Sequence, residues 1–415
     1  MRLACKGMAS GVGENNIYIF SFCEGLMFWY AIEKLFMQSI GLGLSAIVVI
    51  GIIAQAGKMV FEIPSSVLAD RWNRRNTLLL GTVAIILASV LLPLTTTALS
   101  YLLVALLWTI YYAFKSGTDV AFIYDSLKEL GHEGKFQHIF ARYSTLENVG
   151  LIISGVVAGL IVSASNLQVP FWLTIIPLAV GGAALLRLKE PRIGRTEPTN
   201  NLRQHAAEAW RDIRRHAIVW TVTLYAMLFA VKFIWYEYNQ VYGLAVHTPE
   251  VLFGTILSVL FLGQIAGNEV VRKFTISKRI LASAWVVLTI VHVGGLLVHT
   301  FASFLLIVFV TMFAMQVLYL VLIDAINHKI DSARRATVIS LGGSVSQFLF
   351  LGLAMLFAII VKQGNVQVAF LVASAPLLLL AVIDIVRRIP WFQEDTHVSE
   401  RSFAQAEIAK DELRP

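Results

Sequence analysis

The chain has 415 residues, 57% of them hydrophobic and only 14% charged, with a net charge of +7. Soluble globular proteins carry about 25% charged residues, so the composition excludes a soluble domain and points to a polytopic membrane protein. Cys5 sits in the amino-terminal tail and Cys23 in the first apolar run, which gives neither a disulfide frame nor a zinc spacing.

Residues 1–16 lack the apolar core of a cleavable signal and read as a mature cytoplasmic tail. A bilayer-crossing helix needs about 20 mostly apolar residues. Such runs fall at 17–38, 43–68, 76–94, 99–125, 137–162 and 168–187, then at 217–244, 249–271, 280–299, 301–326, 336–361 and 366–387. The reading is an all-α membrane protein whose twelve transmembrane helices form two pseudo-symmetric six-helix bundles, 17–188 and 217–390. A cytoplasmic linker, 189–216, joins them, and a cytoplasmic tail, 391–415, follows. Within the linker "LRQHAAEAWRDIRRH" has the pattern of a basic amphipathic helix suited to an anionic inner leaflet.

With residue 1 inside, 28 of the 33 Lys and Arg residues fall on the cytoplasmic side. This follows the positive-inside rule and predicts a multi-pass plasma-membrane protein (the inner membrane in a bacterium) with both termini cytoplasmic. The basic surplus is therefore topology, and no nucleic-acid partner is expected.

In chain order, span one carries Glu24, Glu33 and Lys34; span two Lys58 and Glu62; span four Lys115 and Asp119; span five Glu147; span seven Lys232 and Glu237. Spans three, six and nine carry none apart from Arg187 at the end of six. A charge facing lipid at mid-depth costs about 2.5–3.5 kcal/mol on insertion scales. Charge-free spans can face lipid, and the others must surround protein or a wet space. The halves also repeat: "FWYAIEK" and "IWYEYNQ" occupy equivalent places in spans one and seven, and Asp125 and Arg142 correspond to Asp324 and Arg335. Parallel six-helix repeats are one known transporter plan.

After span two comes "EIPSSVLADRWNRR", residues 62–75. It resembles the loop signature of the major facilitator superfamily, Gly-x-x-x-Asp-Arg-x-Gly-Arg-Arg. Asp70, Arg71, Arg74 and Arg75 match its charged positions; Ser66 and Asn73 replace its glycines. The resemblance implies a cytoplasmic latch. Asp70 would face the start of span eleven, where orphan amides and the helix dipole favour an anion. Ser66 would permit close helix approach, and Arg71 or Arg74 would pair with Asp125.

Lys58 and Glu62 stand four apart, as do Lys115 and Asp119, a spacing that puts each pair on one helical face. These pairs and Lys232 are expected as ion pairs of the cavity. Desolvation favours the neutral carboxyl, so an acid without a base is a natural proton carrier. Glu24 is the first candidate, since no base lies within a turn of it; Glu237, Glu147 and Asp119 follow. Glu147 could instead partner Arg142 or Lys115. Trp29, Tyr112, Trp235, Tyr236, Asn239, Gln240, Gln316 and Tyr319 are expected to line the cavity, an aromatic lining that suits an amphiphilic organic molecule. "VGLIISGVVAG" clusters Gly150, Gly155 and Gly159 and resembles the antiporter signature of span five, without its proline.

No Walker sequence, metal cluster or nucleophile triad is apparent, so neither an enzyme nor a cofactor is expected. The resemblance implies a monomeric secondary transporter working by alternating access. The reading is proton-coupled efflux of a small amphiphilic compound or drug, in the manner of drug:proton antiporters. The alternatives are proton-coupled uptake or exchange of a metabolite, and a non-transporting sensor or accessory protein.

Overall fold

The computed structural model describes residues 12–71, 73–132, 135–191, 216–274, 276–294, 300–329 and 332–387. Among these residues there are α-helices and short 3-10 turns and no strand. The helices are α1 (Val12–Gly25), α2 (Glu33–Ser39), α3 (Leu44–Arg71), α4 (Arg74–Leu91), α5 (Ala98–Lys115), α6 (Thr118–Glu129) and α7 (Phe136–Ala164). They continue with α8 (Val169–Leu186), α9 (His216–Ala245), α10 (Phe253–Lys273), α11 (Lys278–Gly294), α12 (Phe301–Lys329), α13 (Ser332–Lys362) and α14 (Val366–Arg387). Span one is α1 plus α2, and span four is α5 plus α6. Every other span is one helix, so the twelve-span, all-α architecture holds. The two interruptions were not expected from the sequence.

Two compact units divide the chain, one holding residues 1–199 with 240–261, the other 200–239 with 262–415. In unit one, a core at one end gathers Ile17 and Phe20 of α1, Leu78 of α4, Ile123 of α6, Ile139 of α7 and Leu185 of α8. Backbones touch where spans one and five cross. A Cβ on Gly25 would lie 2.2 Å from the Glu147 carbonyl, and one on Gly150 would lie 2.6 Å from the Phe22 carbonyl. Small residues permit such contact in membranes, where helix association rests on packing. Unit two is built around α12, whose Val308, Met312, Met315 and Leu322 are buried. Its aromatic core stacks Tyr238 on Phe357 and sets Phe357 edge-on to Phe370.

α4 leaves Leu80, Val83, Leu87 and Leu91 exposed. Their spacing of three and four makes one apolar stripe, the surface that a helix charged only at its foot can offer to lipid.

Candidate functional site

The interruption of span four places the first cluster. α5 ends at Lys115, Gly117 takes a left-handed φ of +73°, and α6 restarts at Thr118. Glycine adopts that conformation without a Cβ clash. Lys115 thereby sits at the negative end of one half-helix and Asp119 at the positive end of the next, each the favourable sign. The break also separates two residues that a continuous helix would stack. Lys115 and Asp119 do not form the expected pair. Asp119 instead accepts from its neighbour's amide, Val120 N at 2.7 Å, and from Tyr143 Oη at 3.2 Å.

Lys115 turns to two other acids. Its Nζ lies 2.8 Å from Glu24 Oε2 and 2.6 Å from Glu147 Oε1, while Tyr111 Oη donates to Glu24 Oε1 at 2.8 Å. Glu24, only 1% exposed, is therefore not without a base; span four supplies one that spacing along span one could not show. Glu147 belongs to Lys115, and Arg142 lies over the Tyr18 ring at 4.9 Å. The result is a constellation of three carboxylates, one ammonium and two phenols at the meeting of spans one, four and five, buried at Glu24 and Asp119 and half-buried at Lys115 and Glu147. Tyr111 and Tyr143 were missed as members. Glu62 accepts from Ser116 Oγ at 2.9 Å, which ties span two to the break; Lys58 lies one turn before it.

A second buried pair was also missed. Glu33 and Lys34 bridge at 2.8 Å, and Tyr101 Oη donates to Glu33 at 2.8 Å. Adjacent opposite charges within a span were the available signal.

Several expected cavity residues make structural contacts. Span one between α1 and α2 leaves backbone groups without helical partners, and an unmet buried backbone group is unfavourable. Gln240 meets two of them: its Oε1 accepts from Lys34 N at 3.1 Å and its Nε2 donates to Tyr30 O at 2.9 Å. Thr174 Oγ1 takes a third from Phe28 N. Trp29 is buried, stacked on Phe171 and donating to Ser89 Oγ. Trp235 is buried likewise, against Phe370 and His292, and donates to Ser374 Oγ. Asn239 is buried and donates to Tyr236 O in its own helix. An aromatic run covers most of a helix circumference, so spacing alone could not say which rings face inward. Tyr112 is half-buried, edge-on to Trp108 and Tyr111. Tyr236 is half-buried and stacked on Phe233, and Glu237 beside it is half-buried.

In unit two Lys232 forms no ion pair with a carboxylate among the described residues, contrary to expectation. Its Nζ donates to Gln316 Oε1 and lies 5.0 Å from the Tyr319 ring centroid. Gln316 Nε2 donates in turn to Asn268 Oδ1 at 2.8 Å. The facing helices α10 and α12 carry amides at this level, and so no acid meets the lysine.

At the start of α4, Arg74 donates to Asp125 Oδ2 and, at 2.9 Å, to the Ala121 carbonyl. Glu190, missed in the sequence, accepts both Arg74 N and Arg75 N at 2.8 Å and so caps α4 with an anion. Arg75 Nη1 donates to Leu188 O. The side chains of Ser66, Asp70 and Arg71 lie outside the described residues, as do those of 327–341 at the start of span eleven. A pocket of about 630 Å³ lined by Phe36, Thr95, Asn166 and Glu250 lies at loop ends of unit one and holds none of the site residues.

The family model described as Major Facilitator Superfamily matches residues 16–349. Among solved structures, the nucleoside transporter NupG is 13% identical with a TM-score of 0.70, covering 90% of this chain and 98% of that one. A D-xylose-proton symporter is 12% identical with a TM-score of 0.67, covering 96% and 100%. A bacterial homolog of the human lysosomal transporter Spinster, inward-facing and occupied, is 13% identical with a TM-score of 0.65, covering 92% and 97%. At such identities the likeness is one of fold. A search of the curated proteins found no match.

Proposed function

The chain belongs to the Major Facilitator Superfamily and is a multi-pass membrane transporter rather than an enzyme, and from that premise we propose that it couples a small amphiphilic organic substrate to protons. The observation that carries this reading is Lys115 held between Glu24 and Glu147 where two interrupted spans meet. Three carboxylates against one ammonium leave excess negative charge in a buried place, and buried charge is unfavourable unless matched. A proton on Glu24 or Glu147 reduces that excess and leaves Lys115 to the other acid. The half-helices joined at Gly117 give the exchange a pivot. Arg74 of the sequence motif, with Asp125, serves as the inner gate, with Asp70 and Arg71 as its further members.

Export against entering protons is one direction of this cycle. The glycines that resemble an export signature are each required for close packing. A Cβ on Gly155 would meet the Gly254 carbonyl at 2.6 Å, and one on Gly159 the Val251 carbonyl at 2.1 Å. Uptake with entering protons therefore stands beside export, and the D-xylose-proton symporter of similar fold is a precedent for that direction.

Purified protein in liposomes that trap a pH-sensitive dye tests the coupling. The probes are 1-naphthoate, 1-naphthamide and 1-naphthylmethylamine, three substrates of one shape and different charge. At least one should move protons in wild type, and Glu24→Gln should abolish that flux while labelled-substrate exchange continues. Substrate exchange with no proton movement in wild type beyond that of protein-free liposomes would refute coupling, and the sign of the protein-dependent interior pH change gives the direction.

A further inference from the structure

Lys232 is a mid-helix cation that the coupling cluster does not use. It lies near the centre of α9, half-buried, and its partners are an amide oxygen and a ring face. A membrane-embedded charge of this kind marks a functional site, with its partner to be named. No carboxylate among the described residues bridges to it, whereas Lys115 has two.

The polarity of the network identifies the missing partner. An ammonium can only donate. Gln316 must therefore present its oxygen to Lys232, and its Nε2 then donates to Asn268 Oδ1. This uses the acceptor of each amide that faces the chain and leaves donors at both ends, the remaining N–H of Lys232 and the amide nitrogen of Asn268. Asn268 is exposed, so the donor end is open. Beside it stands an aromatic wall. Tyr225, Phe229 and Lys232 lie at i, i+4 and i+7 along α9, one helical face. Tyr225 and Phe229 approach Tyr319 at 6.0 and 6.1 Å between ring centroids.

We propose that this face of unit two binds the anionic group of the substrate, a carboxylate held by Lys232 and Asn268 with its planar apolar body against Phe229 and Tyr319. The proposal rests on the reading of the chain as a transporter of amphiphilic organic compounds and narrows it to organic anions. A cationic substrate would meet an ammonium that no carboxylate among the described residues neutralises.

The test is equilibrium binding of the same three naphthalene probes to the full chain in detergent, followed by titration calorimetry. Wild type should bind 1-naphthoate at least about tenfold more tightly than 1-naphthamide or 1-naphthylmethylamine. Lys232→Met should weaken 1-naphthoate by about tenfold or more, and Lys232→Arg, which keeps the charge, should retain most of the affinity. Equal binding of the amine or amide, no binding of 1-naphthoate, or an unchanged affinity in Lys232→Met would each overturn the proposal. If Lys232→Met is not monodisperse, the wild-type ranking and Lys232→Arg decide alone. The two readings fail separately. Protons that move with 1-naphthylmethylamine and not with 1-naphthoate leave coupling intact and remove the anion site. Tight 1-naphthoate binding without proton movement does the reverse.

Discussion

Lys115 in unit one and Lys232 in unit two are the same residue in the same kind of surroundings, an apolar span, and the structure treats them differently. Lys115 has two carboxylates within 2.8 Å; Lys232 has an amide oxygen and a ring. Burial alone does not distinguish them, and their partners do. A base that is over-matched by acids suits the exchange of protons among them. A base met only by neutral groups suits a charge that arrives and leaves.

Substitutions can break or sharpen this contrast. The largest effect is expected from Lys115→Met, which leaves Glu24 and Glu147 buried without their cation. Breaking a buried pair costs about 3–5 kcal/mol, read as a lowered unfolding midpoint in detergent, and adding Glu24→Gln should restore part of it. A single variant as stable as wild type would show that the acids do not depend on Lys115. Next comes Gln240→Ala, which removes the hydrogen bonds to the Lys34 amide and the Tyr30 carbonyl; a lost hydrogen bond costs about 0.5–1.5 kcal/mol. Hydrogen exchange at Lys34 should rise in the same variant, and unchanged protection would mean that another group takes over. Glu190→Gln keeps an acceptor at the start of α4 and removes its charge, a loss of about 0.3–1 kcal/mol that salt should screen. The smallest effect is Lys232→Met, where no ion pair is lost and the midpoint should stay level or rise. A large loss of stability there would make Lys232 a structural residue and erase the contrast.

The twelve spans were legible because length and apolarity are properties of the chain alone. What the sequence concealed is which groups meet across helices. Tyr111 and Glu24 are 87 positions apart, and Lys115 and Glu147 are 32 apart. The crossing of spans one and five at Gly25 and Gly150 sets Glu24 beside Glu147, and Lys115 of span four meets both. One signal was available and passed over: "KSGTD", residues 115–119, has the serine, glycine and aspartate of a turn and helix start. Reading it as a break would have dissolved the supposed pairing of Lys115 with Asp119. No such signal marks the end of α1, where Gly25 is followed by Leu26 and Met27. Trp29 and Trp235, in their repeated contexts, pack alike, each buried and donating its indole N–H to a serine.

The clip formed by Glu190 has a mechanical consequence. It fastens the chain just after α8 to the first turn of α4. A pull on the chain beyond residue 190 is therefore delivered first to the foot of span three, beside Arg74 and Asp125.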